Sequence, residues 1–156
     1  MKGKIIGFTS LIIVLIVIAC SKDKFQTKPS LTLKSISGKT IPAGSDMRIE
    51  LDYTDKEGDI VQDTIQFIKN RNNQRKVATK VDTLYFLLPD FPKRSSGVFE
   101  VNLSYETFLK AAINAPSLPG GRFESDSLTF KFILKDNASN VSDTLVINDI
   151  VIERNN

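Results

Sequence analysis

Carboxylate oxygen is the reactive group this chain holds in the most concentrated form. The stretch Asp52-Tyr53-Thr54-Asp55-Lys56-Glu57-Gly58-Asp59 sets four acids in eight residues around one glycine. Such a turn offers hard, negatively charged oxygens on a pliable backbone. Ca²⁺ requires this, taking roughly six to eight oxygens at about 2.3–2.6 Å. A second turn holds Asp136, Asn137 and Asn140, which add oxygens if the two turns meet at one end of the fold. The candidate calcium ligands are therefore Asp55, Glu57, Asp59, Asp136 and Asn140. A complete EF-hand is excluded, because the closing position counted from Asp55 is Gln66 and carries no carboxylate. The competing reading is a solvated acidic turn in which Gly58 only supplies a positive φ.

Other reactive patterns fail on inspection. The chain has no His and a single Cys, so it has no His-based triad, no Cys-built metal site and no internal disulfide. Any resident metal is held by oxygen. Ser37-Gly38-Lys39-Thr40 imitates the end of a phosphate-binding loop, but Leu33 stands where the first glycine is needed. Ser21 and Lys24 match Ser-x-x-Lys, yet they lie in a polar stretch with no core to desolvate the lysine. The paired carboxylates sit in turns, where solvent gives little support to general acid catalysis. No catalytic residue is assigned and the chain is not read as an enzyme.

Four of the twelve aspartates precede a hydroxyl residue and then an aliphatic one: Asp63-Thr64-Ile65, Asp82-Thr83-Leu84, Asp126-Ser127-Leu128 and Asp143-Thr144-Leu145. One reading is structural, in which Asp closes a turn and Thr opens a strand. The pattern also resembles the O-glycosylation acceptor of exported Bacteroidota proteins, which implies modification at Thr64, Thr83, Ser127 and Thr144.

The one thiol has a distinctive setting. Lys2 and Lys4 precede an unbroken apolar run from Leu11 to Ala19, and Cys20 follows at once. A run this short is too brief for a span, which needs about 20 apolar residues, and it fits an export signal. Val17-Ile18-Ala19-Cys20 resembles the lipobox of bacterial lipoproteins, although Val17 and Ile18 depart from the usual Leu and Ala or Ser. The resemblance implies cleavage before Cys20 and lipidation of its sulfur, with the membrane as partner through the acyl chains. Each buried CH₂ contributes about 0.8 kcal/mol, so two or three chains anchor stably. Ser21-Lys22-Asp23-Lys24-Phe25 looks like the charged signal that sends Bacteroidota lipoproteins to the outer face of the outer membrane, with Lys24 in place of an acid. The periplasmic leaflet is the alternative.

The acidic turns must be positioned by strands. Met47, Ile49, Leu51 and Tyr53 alternate with polar residues, as do Leu31 and Leu33, Phe99, Val101 and Leu103, and Leu128, Phe130, Phe132 and Leu134. Period two marks half-buried strands. The segments 64–69, 83–88 and 144–152 are rich in β-branched or aromatic residues. Turn signals separate them all. The expected fold is all-β, an antiparallel sandwich of seven to eight strands. One stretch breaks the pattern, since Phe108, Leu109, Ala112 and Ile113 have helical spacing behind Ser104 as N-cap. A short crossover helix over 105–115, lying as a lid on one end, is expected. Lys69, Arg71, Arg75, Lys76 and Lys80 form a basic cluster that reads as a solvated hairpin tip.

The sandwich resembles immunoglobulin-like domains of bacterial surface and secreted proteins. The likeness rests on Met47 to Asp59 and on Lys135-Asp136-Asn137-Ala138-Ser139-Asn140, which is similar to a D-N-A-G-N hairpin with Ser139 in place of glycine. The acidic turn is similar to those that bind calcium in cadherin-like sandwiches. The expected organisation is a signal peptide over 1–19, a lipidated tether over 20–30 and the sandwich over 31–156. Without the leader's two lysines, nineteen basic side chains face eighteen acidic ones, too even a balance for a nucleic-acid partner. The expected role is a non-catalytic binding or adhesion lipoprotein with an envelope protein or glycan as ligand. A structural or assembly subunit of an envelope complex is the alternative.

Overall fold

The computed structural model describes residues 28–60, 64–110 and 115–155. The leader and Cys20 lie outside them. Among the described residues no helix is long and apolar enough to cross a membrane.

Eight strands form: β1 (Ser30–Ile36), β2 (Thr40–Ile41), β3 (Met47–Thr54), β4 (Thr64–Arg71), β5 (Val81–Leu87), β6 (Ser96–Leu103), β7 (Asp126–Leu134) and β8 (Leu145–Ile152). They make a three-stranded sheet in the order β1-β3-β6 and a five-stranded sheet in the order β2-β8-β7-β4-β5. All pairings are antiparallel except β2 with β8. The all-β sandwich expected from the alternation is present. All seven anticipated strands appear, and the eighth is the two-residue β2. Only β4–β5 and β7–β8 are hairpins; every other connection passes from one sheet to the other.

Alternation fixes which side chains fill the space between the sheets. Met47, Ile49, Leu51 and Tyr53 of β3 are buried, as are Leu128, Phe130, Phe132 and Leu134 of β7. Phe67 of β4 lies at the centre, with ring centroids 5.0 Å from Phe130, 4.8 Å from Phe132 and 5.9 Å from Phe86. The β7–β8 register slips by one residue between Leu128 and Phe130, and Asp149 takes a φ of 64° there, the signature of a bulge.

The expected crossover helix is a wide turn, Tyr105–Leu109, in its described part. Leu109 N–H donates to the Ser104 carbonyl at 3.1 Å and Lys110 N–H to the Tyr105 carbonyl at 3.2 Å, a five-residue spacing. Ser104 is the anticipated cap, its Oγ accepting from Thr107 N–H at 3.3 Å. Ala112 and Ile113 lie outside the described residues. Phe108 packs edge-on against Phe86 at 5.5 Å, and the Tyr105 hydroxyl donates to the Glu153 carbonyl at 2.7 Å.

The basic hairpin tip needs correction. Lys69 and Arg71 belong to β4 and continue the inward stripe begun by Ile65 and Phe67, so both are buried. Lys69 Nζ meets Asp82 Oδ2 at 2.8 Å and donates to the Phe108 carbonyl at 2.5 Å. Arg71 Nη2 meets Asp126 Oδ1 at 2.6 Å, and Arg154 Nη2 meets Asp126 Oδ2 at 2.5 Å. Burial pushes the Arg71 guanidinium below its ordinary range, with Asp126 opposing and Arg154 adding to the shift. Of the five basic residues, only Arg75, Lys76 and Lys80 are exposed.

Removing one partner of a buried ion pair leaves the other uncompensated. Asp126→Ala is expected to lower the unfolding free energy by about 3–5 kcal/mol, measured by urea denaturation. The added change Arg71→Met should recover a large part of that loss.

Candidate metal centre

The sandwich brings the two acidic turns together. β3 ends at Thr54 and delivers Asp55, whose N–H donates to the Ser95 carbonyl at 2.8 Å. The chain then folds back tightly, with Gly58 N–H donating to the Asp55 carbonyl at 3.2 Å. Gly58 takes a φ of 64°, and a Cβ there would meet the Arg94 backbone at 3.2–3.3 Å. Conformation and space both require glycine. The second turn follows β7: Asp136 N–H donates to the Asn140 carbonyl at 3.0 Å, and Ser139 takes a φ of 70°. The chain thus adopts a glycine-like conformation at the residue where the resembling hairpins carry glycine. Asn137 N–H bridges to the Asp59 carbonyl at 3.3 Å.

Asp55, Asp59 and Asp136 converge so that one carboxylate oxygen from each lies within 4.8 Å of the others. Asp55 is 1% exposed, Asp136 is fully buried and Asp59 is half-buried. Hydrogen bonds orient the acids but leave gaps. Asp55 Oδ2 accepts from Asp59 N–H at 2.8 Å. Asp136 accepts from Asn140, at 2.6 Å from the backbone N–H and 2.8 Å from the side-chain amide. Among the described residues no donor answers buried Asp55 Oδ1 or Asp59 Oδ1, and the two carboxyl groups lie against each other. Glu57 is exposed and stays outside the cluster, and Asn140 reaches it as a donor to Asp136.

Three neighbouring carboxylates repel one another, and burial removes the water that would screen them. Orphaned buried oxygens need an explanation. A shared proton between Asp55 and Asp59 is one solution and a cation is the other. Oxygens bound to a single Ca²⁺ at about 2.3–2.6 Å lie at most about 5 Å apart, so the cluster fits one coordination sphere. Carboxylates alone do not complete it, leaving positions for backbone carbonyls and water.

The four anticipated hydroxyl sites are scattered. Thr83 on β5 and Thr144 before β8 are exposed, whereas Thr64 and Ser127 are half-buried within sheet pairings. Asp126, before Ser127, is held in the buried ion pairs described above. Lipidation at Cys20 falls outside the described residues.

No family model matches the chain, and no curated protein matches it. Among solved structures it is similar to Spo0M, a sporulation control protein from Bacillus subtilis, with a TM-score of 0.43 and 11% identity over 82% of this chain and 50% of that one. It is also similar to a β-glucosidase from Listeria innocua in complex with gluconolactone, with a TM-score of 0.39 and 10% identity over 81% of this chain and 16% of that one. The chain spans half the length of the first and a small part of the second. At these scores neither likeness bears on ligand or activity.

The Asp59 carboxyl is held above its ordinary value of 3.8, first by burial, then by its contact with Asp55 and by the charges of Asp55, Asp136 and Glu57. An acid with a raised pKa keeps its proton in the folded chain after the unfolded chain has lost it. Stability from this group is therefore full below 3.8 and falls as pH rises through the elevated value. In chelator, denaturation from pH 3 upward should show that decline, and Asp59→Asn should flatten it.

Proposed function

We propose that this chain is a lipid-anchored, non-catalytic binding lipoprotein of the bacterial outer membrane, with an immunoglobulin-like sandwich whose membrane-proximal end is clamped by calcium. The observation that carries the calcium assignment is the cluster of Asp55, Asp59 and Asp136, with two buried oxygens that no donor among the described residues answers. A cation there would join the β3–β4 turn to the β7–β8 turn, adding a charge-neutralising tie to the backbone bond from Asn137 to Asp59.

The placement of the chain entry gives the clamp its meaning. Ser30 pairs with Thr54, one residue before Asp55. Lys28 Nζ meets Asp143 Oδ1 at 2.5 Å, on the loop that carries Asp136. The tether from Cys20 therefore joins the sandwich at the same end as the acidic cluster. This supports calcium as a brace where the anchor meets the domain, leaving the flanks of the sandwich for partners. Support for the anchor itself comes from Val17 to Cys20 and the charged stretch that follows, and support for surface exposure from Ser21 to Phe25.

One observation favours the second role, a subunit of an envelope assembly. Three of the four outward positions of edge strand β5 carry large, exposed hydrophobic side chains, with Val81 55% exposed, Tyr85 66% and Leu87 73%, and Thr83 lies between them. Such an edge is a template for association.

Two outcomes check this reading. Calcium at about a hundredfold over Kd should stabilise by about 2.7 kcal/mol and raise Tm by roughly 5–10 °C over chelator; Asp55→Asn should abolish the rise, and an unchanged wild-type Tm rules the clamp out. Cys20→Ala should move the protein from the membrane to the soluble fraction, and continued membrane association would refute the anchor.

A further inference from the structure

The two sheets differ by two strands. The small sheet ends at β6 and the large one at β5, and the segment 88–95 joins these edges. Between them runs a groove of about 610 Å³. One wall is the unbroken run Gly97 to Asn102 of β6. That run includes inward residues such as Phe99 and outward ones such as Val98, so the wall is the backbone edge of the strand. Phe86 and Leu87 of β5 face it. Its floor is aromatic: Tyr53 stacks on Phe99 at 4.3 Å, and Phe91 lies 6.1 Å from Phe99 and 6.3 Å from Tyr53. Gly97 opens the floor, since a Cβ there would strike the Tyr53 ring at 2.7 Å.

The four sheet edges are not treated alike. β1 carries Lys34 and a register shift between Leu33 and Ser35, and β2 is two residues long and followed by Pro42. Lysine, bulges, short strands and proline are the usual protections of an edge. β6 has none of them: it contains no lysine or proline, and its pairing with β3 runs without a shift; β5 carries one inward charge, Asp82, and is followed by Pro89. Among the described residues, no other strand pairs with β6 than β3 or with β5 than β4.

Charge at the groove is also uneven. Glu100 on the β6 wall is answered by Arg48 at 3.8 Å and by the Asn102 amide at 2.9 Å. Arg94, which lines the groove two residues before β6, makes no ion pair with a described residue. The groove thus offers free backbone hydrogen-bonding groups, an apolar floor and one unanswered cation at the end where β6 begins.

We propose that this groove binds an extended segment of a partner protein, which adds to β6 as a fourth strand, sets alternate apolar side chains on the aromatic floor and places an acidic residue against Arg94. Backbone pairing supplies affinity in such additions and pockets for alternate side chains supply specificity. The wall of six residues spans about 20 Å at roughly 3.3 Å per residue. An added strand would cover Leu84 and Phe86, which remain half-buried on the inner face of β5. The proposal rests on the partner-binding reading above and is independent of the calcium clamp.

The test uses the full chain in detergent and a fluorescein-labelled peptide of about nine residues, alternating valine and threonine with an aspartate at one end. Amide resonances of Gly97 to Asn102 should shift on titration. A twin N-methylated at alternate amides, unable to pair, should bind at least about tenfold more weakly. A lysine-ended twin should bind about threefold more weakly than the parent, and Arg94→Glu, an exposed change, should reverse that order. Equal binding of parent and N-methylated peptides would overturn strand addition in favour of a merely apolar cavity. Unmoved β6 amides at millimolar peptide would overturn it as well, as would a dimer that must dissociate before the peptide binds, which would make a second copy the occupant. Repeating the titration in chelator separates the two readings, since loss of the calcium response leaves this outcome unchanged.

Discussion

The inward stripe of β4 is the constraint on which the rest of the sandwich depends. Ile65, Phe67, Lys69 and Arg71 all point between the sheets because a strand turns every second side chain to the same face. Phe67 fixes the hydrophobic centre through its contacts with Phe130 and Phe132 of the neighbouring strand and Phe86 of β5. The same geometry forces two cations into the interior. Their counter-charges must then arrive from other strands: Asp82 on β5 for Lys69, and Asp126 on β7 for Arg71. Register between β4, β5 and β7 is thereby set by charge as well as shape, since a slip of two residues, which keeps the same face inward, would carry both cations away from their acids.

At the end of the sandwich where the chain enters, charge is handled differently. There the buried groups are acids, and no described base answers Asp55 or Asp59. The turns are closed by Gly58, whose N–H donates to the Asp55 carbonyl beside the Arg94 backbone, and by Asn140, which donates to Asp136. The arrangement keeps oxygens close at the expense of their mutual repulsion, which a bound divalent ion would relieve. The Arg94 backbone lies against the acidic turn and the same residue lines the groove, so the acidic turn and the groove share one segment of chain.

Much of the frame was legible in advance. Met47 to Tyr53 and Leu128 to Leu134 alternate plainly, and both formed the strands expected of them. Gly58 took the positive φ its acidic turn suggested, and Asp55, Asp59 and Asp136 met as candidate ligands. Glu57 could not be distinguished from its neighbours by spacing, and only the turn's geometry left it in solvent. Lys69 and Arg71 were misread because hydropathy was weighed above parity: counted from Phe67, both fall on the buried face. The short helix is present in its described part as the turn Tyr105–Leu109, with Tyr105 and Leu109 buried against the sandwich, and Ala112 and Ile113 lie outside the described residues.

By itself, the sequence determined what is local: strand period, the turns, the glycine that tolerates a left-handed backbone, the absence of imidazole chemistry and the single thiol directly after an apolar run. Side-chain parity and backbone preference act over a few residues, so they are written in order along the chain. Tertiary structure alone decided which distant charges meet, such as Asp55 with Asp136 and Arg71 with Asp126, and which edges stay open. Those outcomes depend on how two unequal sheets stack, and Coulomb and contact forces act through space without regard to separation along the chain.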